Sequence, residues 1–414
     1  MITTVERHVA GASRAARLAA ALALGCAAAA QAETSPYSIG LSETLARETN
    51  LVRRPEGQPA LGDTVSTTAL LGGFDRGIGR QRVYFNGSVR RTVYRNNPIY
   101  DNTGYQLALG LDWSTVNRVS GSLNASAQRS LAPFGLNNVF AVERNVLSTR
   151  QFNAVARVGS VTPLTLEGSF AHQSVDYSAE RFKFAAFSQN SAGVNLLWRT
   201  SGQLTTGVGL RATRGEYPRG AFGDDHFTGR NVDLSLNWTP SAVSSLIARA
   251  GYARTRHDDR SQRDFSGITA NLQWVWQPTG KWRLTSQYAR ATGEDATFFV
   301  PSGGSPGLAG INSRVSDTLA LNAAYLATGK ITLEGNYRQV HRALLRSSDA
   351  GAGATVLAGS DDTRVLGLTA RYLAPRTLQL SCNVGRDRRT SSTVLSYAYT
   401  ASYVSCTAQL LLQP

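Results

Sequence analysis

Lysine is all but missing from this 414-residue chain. Lys183, Lys281 and Lys330 are the whole of it, within 43 Lys plus Arg, so arginine carries the formal net charge of +15. A guanidinium presents a planar fork that pairs bidentately with carboxylate, sulfate or phosphate, which an ammonium cannot do. The arginine-favouring codons of a GC-rich genome are the other source of such a bias. Long apolar runs are missing too. Beyond the N-terminal region no window approaches the roughly 18 consecutive apolar residues of a membrane-spanning helix. That excludes a helical span but not a β-barrel, whose strands hide their apolarity in alternation. Mean hydropathy is -0.20, with 42% hydrophobic residues.

Constellations for catalysis are equally scarce. His226 and His257 read as members of acidic loops, and His172 and His341 fall near strand ends. No Gly-x-Ser-x-Gly elbow is placed to use them, and no Cys/His metal spacing occurs. The reading is therefore no enzyme, no catalytic residues, no metal and no cofactor. Asp224-Asp225, Asp258-Asp259 and Asp361-Asp362 have the chemistry to hold calcium, but read first as solvated loop charges. The glycine-rich stretches 303–310 and 350–359 lack a phosphate-loop context and read as flexible loops, one of which could fold inward as a plug. An exported chain without a recognised binding motif implies no nucleic-acid partner.

Export is read from residues 1–32. Arg7, Arg14 and Arg17 form a basic region, Leu18 to Ala30 an apolar core, and Ala30-Gln31-Ala32 a small-x-small cleavage site. Cys26 raises a lipoprotein alternative, but Ala23-Leu24-Gly25 before it fits a lipidation site poorly. The remaining cysteines, Cys382 and Cys406, would then see an oxidising compartment.

What is abundant is alternation. In Asp264–Thr292, Ile268, Ala270, Leu272, Trp274 and Trp276 fall on one face and Thr269, Asn271 and Gln273 on the other. After Pro278-Thr279-Gly280, Trp282, Leu284 and Tyr288 continue the apolar face against Arg283, Thr285 and Gln287. Period two is the strand period, and Pro-x-Gly is turn chemistry. The pattern repeats through residues 33–414 and predicts an all-β, single-domain antiparallel barrel of about eighteen strands. Short turns near 76–80, 114–118, 160–163, 200–202, 239–243, 277–281, 327–330 and 374–376 alternate with longer loops. Those loops lie near 47–63, 95–102, 130–147, 176–186, 215–229, 257–265, 292–314 and 342–360, with a shorter one near 389–392. Short periplasmic turns opposite long extracellular loops are expected of an outer-membrane barrel, whose outer face meets lipid. Trp113, Trp198, Trp238, Trp276 and Trp282 all fall at short-turn ends, as a girdle at the membrane interface requires.

Several blocks resemble the EpsL-type exopolysaccharide-biosynthesis outer-membrane barrels, a branch of the β-barrel porin group. They are Tyr37-Ser-Ile-Gly-Leu-Ser-Glu-Thr-Leu, Thr49-Asn50-Leu51-Val52-Arg53, Gly79-Arg80-Gln81-Arg82, Asp101-Asn102-Thr103-Gly104-Tyr105 and Arg214-Gly215-Glu216-Tyr217-Pro218. Most specific are Gln262-Arg263-Asp264-Phe265-Ser266-Gly267 and Trp276-Gln277-Pro278-Thr279-Gly280-Lys281. The resemblance implies a role in exopolysaccharide export, with a polysaccharide and periplasmic export components as partners. The alternatives are a structural or regulatory barrel of the export assembly, and a general small-solute porin. Leu411-Leu412-Gln413-Pro414 lacks the terminal aromatic usual in such barrels; this bears on recognition of the last strand by the assembly machinery more than on the fold.

If the apolar face meets lipid, the other lines the lumen. Arg82, Arg90, Arg157, Arg199, Arg211, Arg249, Arg283, Arg338 and Arg371 fall there, with the acids Asp112, Glu167, Asp233 and Glu334. This count predicts an anion-selective conduit, whose selectivity Arg211→Glu with Arg249→Glu would lower. Cys382 and Cys406 lie at matching depths in adjacent strands, and a disulfide between them is the candidate cross-link. Cys382 shares the apolar face with Leu380 and Val384. Tyr397, Tyr399 and Tyr403 put the apolar phase of the last strand on odd residues, whereas Ala408, Leu410 and Leu412 put it on even ones. Bringing Cys406 onto the lipid face on this reading requires a β-bulge near Val404-Ser405.

Overall fold

The computed structural model describes residues 35–413 apart from 117, 135–142, 160–161, 221–222, 259–263, 292–312, 348–355 and 375–376. The candidate leader 1–32, with Cys26, and the glycine-rich stretch 303–310 lie outside the described residues. Eighteen strands follow one another. They are β1 (Tyr37–Glu48), β2 (Asp63–Ile78), β3 (Gln81–Tyr94), β4 (Asn102–Ser114), β5 (Val119–Leu131) and β6 (Val146–Val158). Next come β7 (Leu164–Tyr177), β8 (Phe187–Arg199), β9 (Leu204–Gly220), β10 (Gly223–Ser241), β11 (Ser244–His257) and β12 (Phe265–Thr279). The last six are β13 (Trp282–Ala291), β14 (Ser313–Leu326), β15 (Ile331–Ser347), β16 (Val356–Leu373), β17 (Leu378–Ser391) and β18 (Tyr399–Leu412). Among the described residues two 3₁₀ segments, Pro98–Tyr100 and Glu180–Ala185, interrupt the loops after β3 and β7.

Each strand pairs antiparallel with its chain neighbour, and β1 pairs with β18 from Ile39–Leu412 to Glu48–Tyr403. The sheet therefore closes into an eighteen-stranded antiparallel barrel with no free edge, the arrangement that satisfies every strand's backbone groups without water. Closure and alternation turn the polarity inside out relative to a globular domain. Large apolar side chains are exposed rather than buried: Leu41, Leu109, Val194, Leu234, Ile268, Leu368 and Val384 point outward. An exposed apolar belt of this extent is unstable in water and stable against hydrocarbon. Trp198, Trp238, Trp276 and Trp282 stand outward at short-turn ends. Trp113 shares the outward phase of β4 and covers Gly121 of β5. Glu43 is a charged member of the outward face, and its carboxylate accepts from Ser66 Oγ at 2.5 Å and Thr68 Oγ1 at 2.6 Å.

Three expectations change. The 215–229 loop is mostly strand, because β9 runs to Gly220 and β10 starts at Gly223, so this hairpin reaches past its neighbours. Consequently His226 lies on β10 and His257 ends β11. The 342–360 region likewise extends β15 and β16, placing Asp361 in a ladder opposite Arg342. Finally, β18 carries no bulge. Its register is continuous against both β17 and β1. The odd residues Tyr399, Ala401 and Tyr403 face inward at the loop end, where Tyr399 and Ala401 are buried, and the even ones face out along the whole strand. The tyrosines belong to the interior rather than to lipid, so no phase switch is needed.

Cys382 and Cys406 are register partners on the outward face, with Cα atoms 4.1 Å apart and their sulfurs joined. A link closing a loop of this length stabilises by about 3 kcal/mol through the unfolded chain. Denatured protein alkylated without reductant is expected to gain no mass at these two positions; two alkyl additions would exclude the bond.

Candidate functional site: the barrel lumen

The lumen wall follows from register alone. Inward positions are even on β1, odd on β2, even on β3 to β5, odd from β6 to β13, even on β14 and β15, and odd on β16 to β18. All nine arginines named from the sequence occupy these positions, as do Asp112, Glu167, Asp233 and Glu334. The same phase also brings in residues the sequence reading left out: Arg342 and Arg389, and the acids Glu48, Asp63, Asp75, Asp225, Asp361 and Asp387. With them the acids named at inward positions rise from four to ten, so the excess of basic over acidic groups shrinks.

Most of these charges are paired. At the short-turn end Arg82 donates from Nε to Asp75 Oδ1 at 2.9 Å, with Asp112 Oδ2 4.0 Å from Nη1. These side chains are about half exposed, at 56%, 54% and 47%. Arg157 Nε reaches Glu167 Oε2 at 2.7 Å, and Asn195 donates to the other carboxylate oxygen at 3.0 Å. Arg371 pairs with Glu334 at 3.0 Å. Deeper in, Arg211 lies 3.9 Å from Asp233 with both side chains nearly buried. Arg211 is therefore part of a packed pair, and Arg211→Glu would set two acids together rather than simply retune selectivity. Arg90 and Arg283 face inward without an acidic partner among the described residues. Tyr84 lies flat over Gly110, where any Cβ would strike its ring, and its hydroxyl donates to Asn124 Oδ1 at 2.6 Å.

The loop end of the lumen is built differently. There loops and 3₁₀ segments fold onto the inner wall. Leu51, Val52 and Tyr100 pack on Tyr94, and Tyr100 meets Tyr94 edge-on at 5.9 Å. Phe182 and Ala185 pack on Leu147, Val175 and Tyr177. Across the extended β9–β10 hairpin, Tyr217, Phe227 and His257 cluster at ring distances of 5.5–6.4 Å. His257 Nδ1 lies 3.0 Å from Asp225, both side chains fully buried. Arg53, in left-handed backbone after β1, spans Glu48 at 3.0 Å and Asp387 at 3.1 Å. Burial opposes its charge, but Glu48 and Asp387 outweigh burial and hold its pKa above the ordinary guanidinium value. Beside it Arg342 chelates Asp361, whose second oxygen accepts from Ser396 Oγ at 2.6 Å, with Arg389 3.9 Å away. The described loops thus narrow this mouth, whereas charged side chains stay solvated at the other.

Asp225 and Asp361 are committed to these buried contacts rather than standing in solvated loops. Among the described residues no group of three His, Cys, Asp or Glu side chains could hold a metal ion. None of the loop-end packing carries a period, because loops and 3₁₀ turns have none. Asp75 and Asp387 lie inside strands already legible in the sequence and follow from their phase alone; Asp225 and Asp361 could have been found by continuing the inward phase past the assumed loop boundaries.

No protein-family model matches the chain, and no curated protein matches it. Among solved structures it is similar to Pseudomonas aeruginosa OccK2 (OpdF), with a TM-score of 0.50 and 12% identity over 91% of this chain and 98% of that one. It also matches the outer membrane protein opdK of Pseudomonas aeruginosa, with a TM-score of 0.47 and 13% identity over 91% and 99%. The FrpB iron transporter of Neisseria meningitidis matches with a TM-score of 0.48 and 10% identity over 92% and 82%. At such identities likeness speaks to architecture alone, and that architecture is the closed antiparallel β-barrel.

Proposed function

We propose that the chain is an outer-membrane diffusion barrel, a porin that passes small polar solutes passively. The observation that carries this reading is the inward face of a closed barrel that is polar and ionised along its length, with half-solvated charges such as Arg82, Asp75 and Asp112 at the short-turn end. Such a wall offers replaceable hydrogen bonds to water and solutes, while the apolar outer face holds the barrel in lipid. Because lumen arginines are mostly matched by acids, the anion preference is weak, carried by Arg90, Arg283 and other arginines outside the tight pairs. Neither step requires catalysis. In liposome permeation assays the full barrel should admit small neutral sugars and exclude large polymers, since the loop-end mouth is narrowed. A barrel that inserts but leaves the vesicles as tight as protein-free controls would refute the reading.

A second reading, in exopolysaccharide export, is favoured by the sequence blocks around Asp264-Phe265-Ser266-Gly267 and Trp276-Gln277-Pro278-Thr279-Gly280-Lys281. In it the lumen passes a polysaccharide chain handed over by periplasmic export components. Deletion should then leave polymer trapped in the periplasm. Unchanged polymer secretion would remove this reading without touching the first.

A further inference from the structure

The arginines that do not line the lumen form a second pattern. On β9 to β11 the outward positions just past the apolar belt are Arg214, Arg230, Arg254 and Arg256, all exposed. Their belt-side neighbours on the same face are Leu210, Val232 and Tyr252. On β16 and β17 the same step leads from Leu366, Leu368 and Val384 to Arg364, Arg386 and Arg388. Exposed Arg129 on β5 and Arg150 on β6 repeat it elsewhere on the wall.

The height of this row can be placed. On β10, Trp238 at the short-turn girdle and Arg230 share the outward face; on β16, Tyr372 and Arg364 do. Each separation is about 27 Å along the strand at roughly 3.4 Å per residue, or about 21 Å across the membrane at a tilt near 40°. That is close to the height of the apolar belt of such barrels, so the guanidiniums sit at the opposite interface, on the long-loop side.

The facing arginines of this row also form no ion pair with acids among the described residues. Arg230 and Arg254 are direct register partners, as are Arg364 and Arg388. Like charges facing one another across a strand pair destabilise it. The outward acids nearest the row pair with none of these arginines: Glu216 lies 3.9 Å from His226, Asp362 lies 3.3 Å from His341, and Asp224 and Asp258 stand exposed beyond the row toward the loops. Arg214, Arg230, Arg254, Arg256, Arg364 and Arg388 have no acidic partner among the described residues. Facing forks at an interface match tetrahedral phosphate, which accepts two parallel hydrogen bonds per guanidinium and cancels the mutual repulsion.

We infer that this collar binds the phosphate groups of anionic lipid headgroups in the long-loop leaflet. The inference rests on the outer-membrane reading above and commits to lipid phosphate rather than phosphate free in solution. It gives the arginine bias of the chain a use that the lumen does not exhaust.

The test uses the full barrel in phosphatidylcholine nanodiscs, with bound lipid measured by native mass spectrometry. The probes are a bisphosphorylated glucosamine-disaccharide lipid, the same lipid dephosphorylated, and inorganic phosphate. The bisphosphorylated lipid should be retained and the dephosphorylated one not. The combined variant Arg230→Gln, Arg254→Gln, Arg364→Gln and Arg388→Gln should weaken retention by at least roughly a hundredfold, given about fivefold per interfacial cation. The corresponding four Lys substitutions, which keep charge but lose the fork, should fall between and cover the case in which the Gln variant fails to fold. Equal retention of the dephosphorylated lipid, unchanged retention by both variants, or full displacement by inorganic phosphate would each overturn the collar. Failure of the wild-type barrel to insert into phosphatidylcholine at all would instead overturn the outer-membrane reading, and the collar with it.

Discussion

Asp361→Ala is expected to destabilise the barrel by about 3–5 kcal/mol, the cost of removing one partner of a buried ion pair. Asp361 has no exposed side-chain surface and Arg342 only 5%, and Arg389 and Ser396 converge on the same carboxylate. Deleting the acid strands the buried Arg342 guanidinium at the loop end of β15 to β18. The penalty comes from the charges left behind rather than from any large net gain of the intact pair. Replacing both residues, with Arg342→Met and Asp361→Leu, should therefore recover most of the loss. Urea unfolding in phospholipid vesicles, followed by tryptophan fluorescence, measures both variants. A loss below about 1 kcal/mol for Asp361→Ala would show that the network is hydrated and does not close the mouth.

That network marks where the sequence could and could not be read. The lumen arginines from Arg82 to Arg371 were legible because a strand has a two-residue period and polar residues interleave with Leu, Val and Trp along it. Asp225 and Asp361 escaped because runs such as Gly223–Thr228 and Ser360–Asp362 look like polar loops. In the structure they are strands that extend beyond the apolar belt, where an outward residue meets water and the apolar alternation stops. The misreading of β18 has the opposite cause. Tyr399 and Tyr403 were given the outward face because they were counted as the apolar phase of the strand, but here the ring of Tyr399 is buried inside, against Arg389 and Asp387. An amphipathic ring suits a lipid interface and a wet interior equally well, so residue type alone does not choose the face.

The pairing of lumen charges changes what a count of arginines means. Nine inward arginines against four acids predicted a strongly basic conduit. Asp75 beside Arg82 and Asp361 beside Arg342 alter the balance without altering a single arginine assignment. Selectivity belongs to the charges that remain solvated, and these are fewer than the sequence tally. The surplus arginine lies on the outside of the wall, above the belt.

The two-faced wall is the claim on which both the membrane reading and the conduit reading depend, and adjacent residues on β4 test it. Leu107 points outward between Tyr105 and Leu109, and Gln106 points into the lumen opposite Ser88 and Gln128. The substitution is the same in both cases, and only the face differs. Leu107→Arg puts a guanidinium against hydrocarbon near the middle of the belt, at about 2–4 kcal/mol, whereas Gln106→Arg puts it in a polar lumen at less than about 1 kcal/mol. The decisive measurement is the unfolding free energy of both variants in the same phospholipid vesicles. A loss of about 2–4 kcal/mol confined to Leu107→Arg is the result the wall predicts; equal losses, or the larger loss at Gln106→Arg, would contradict it.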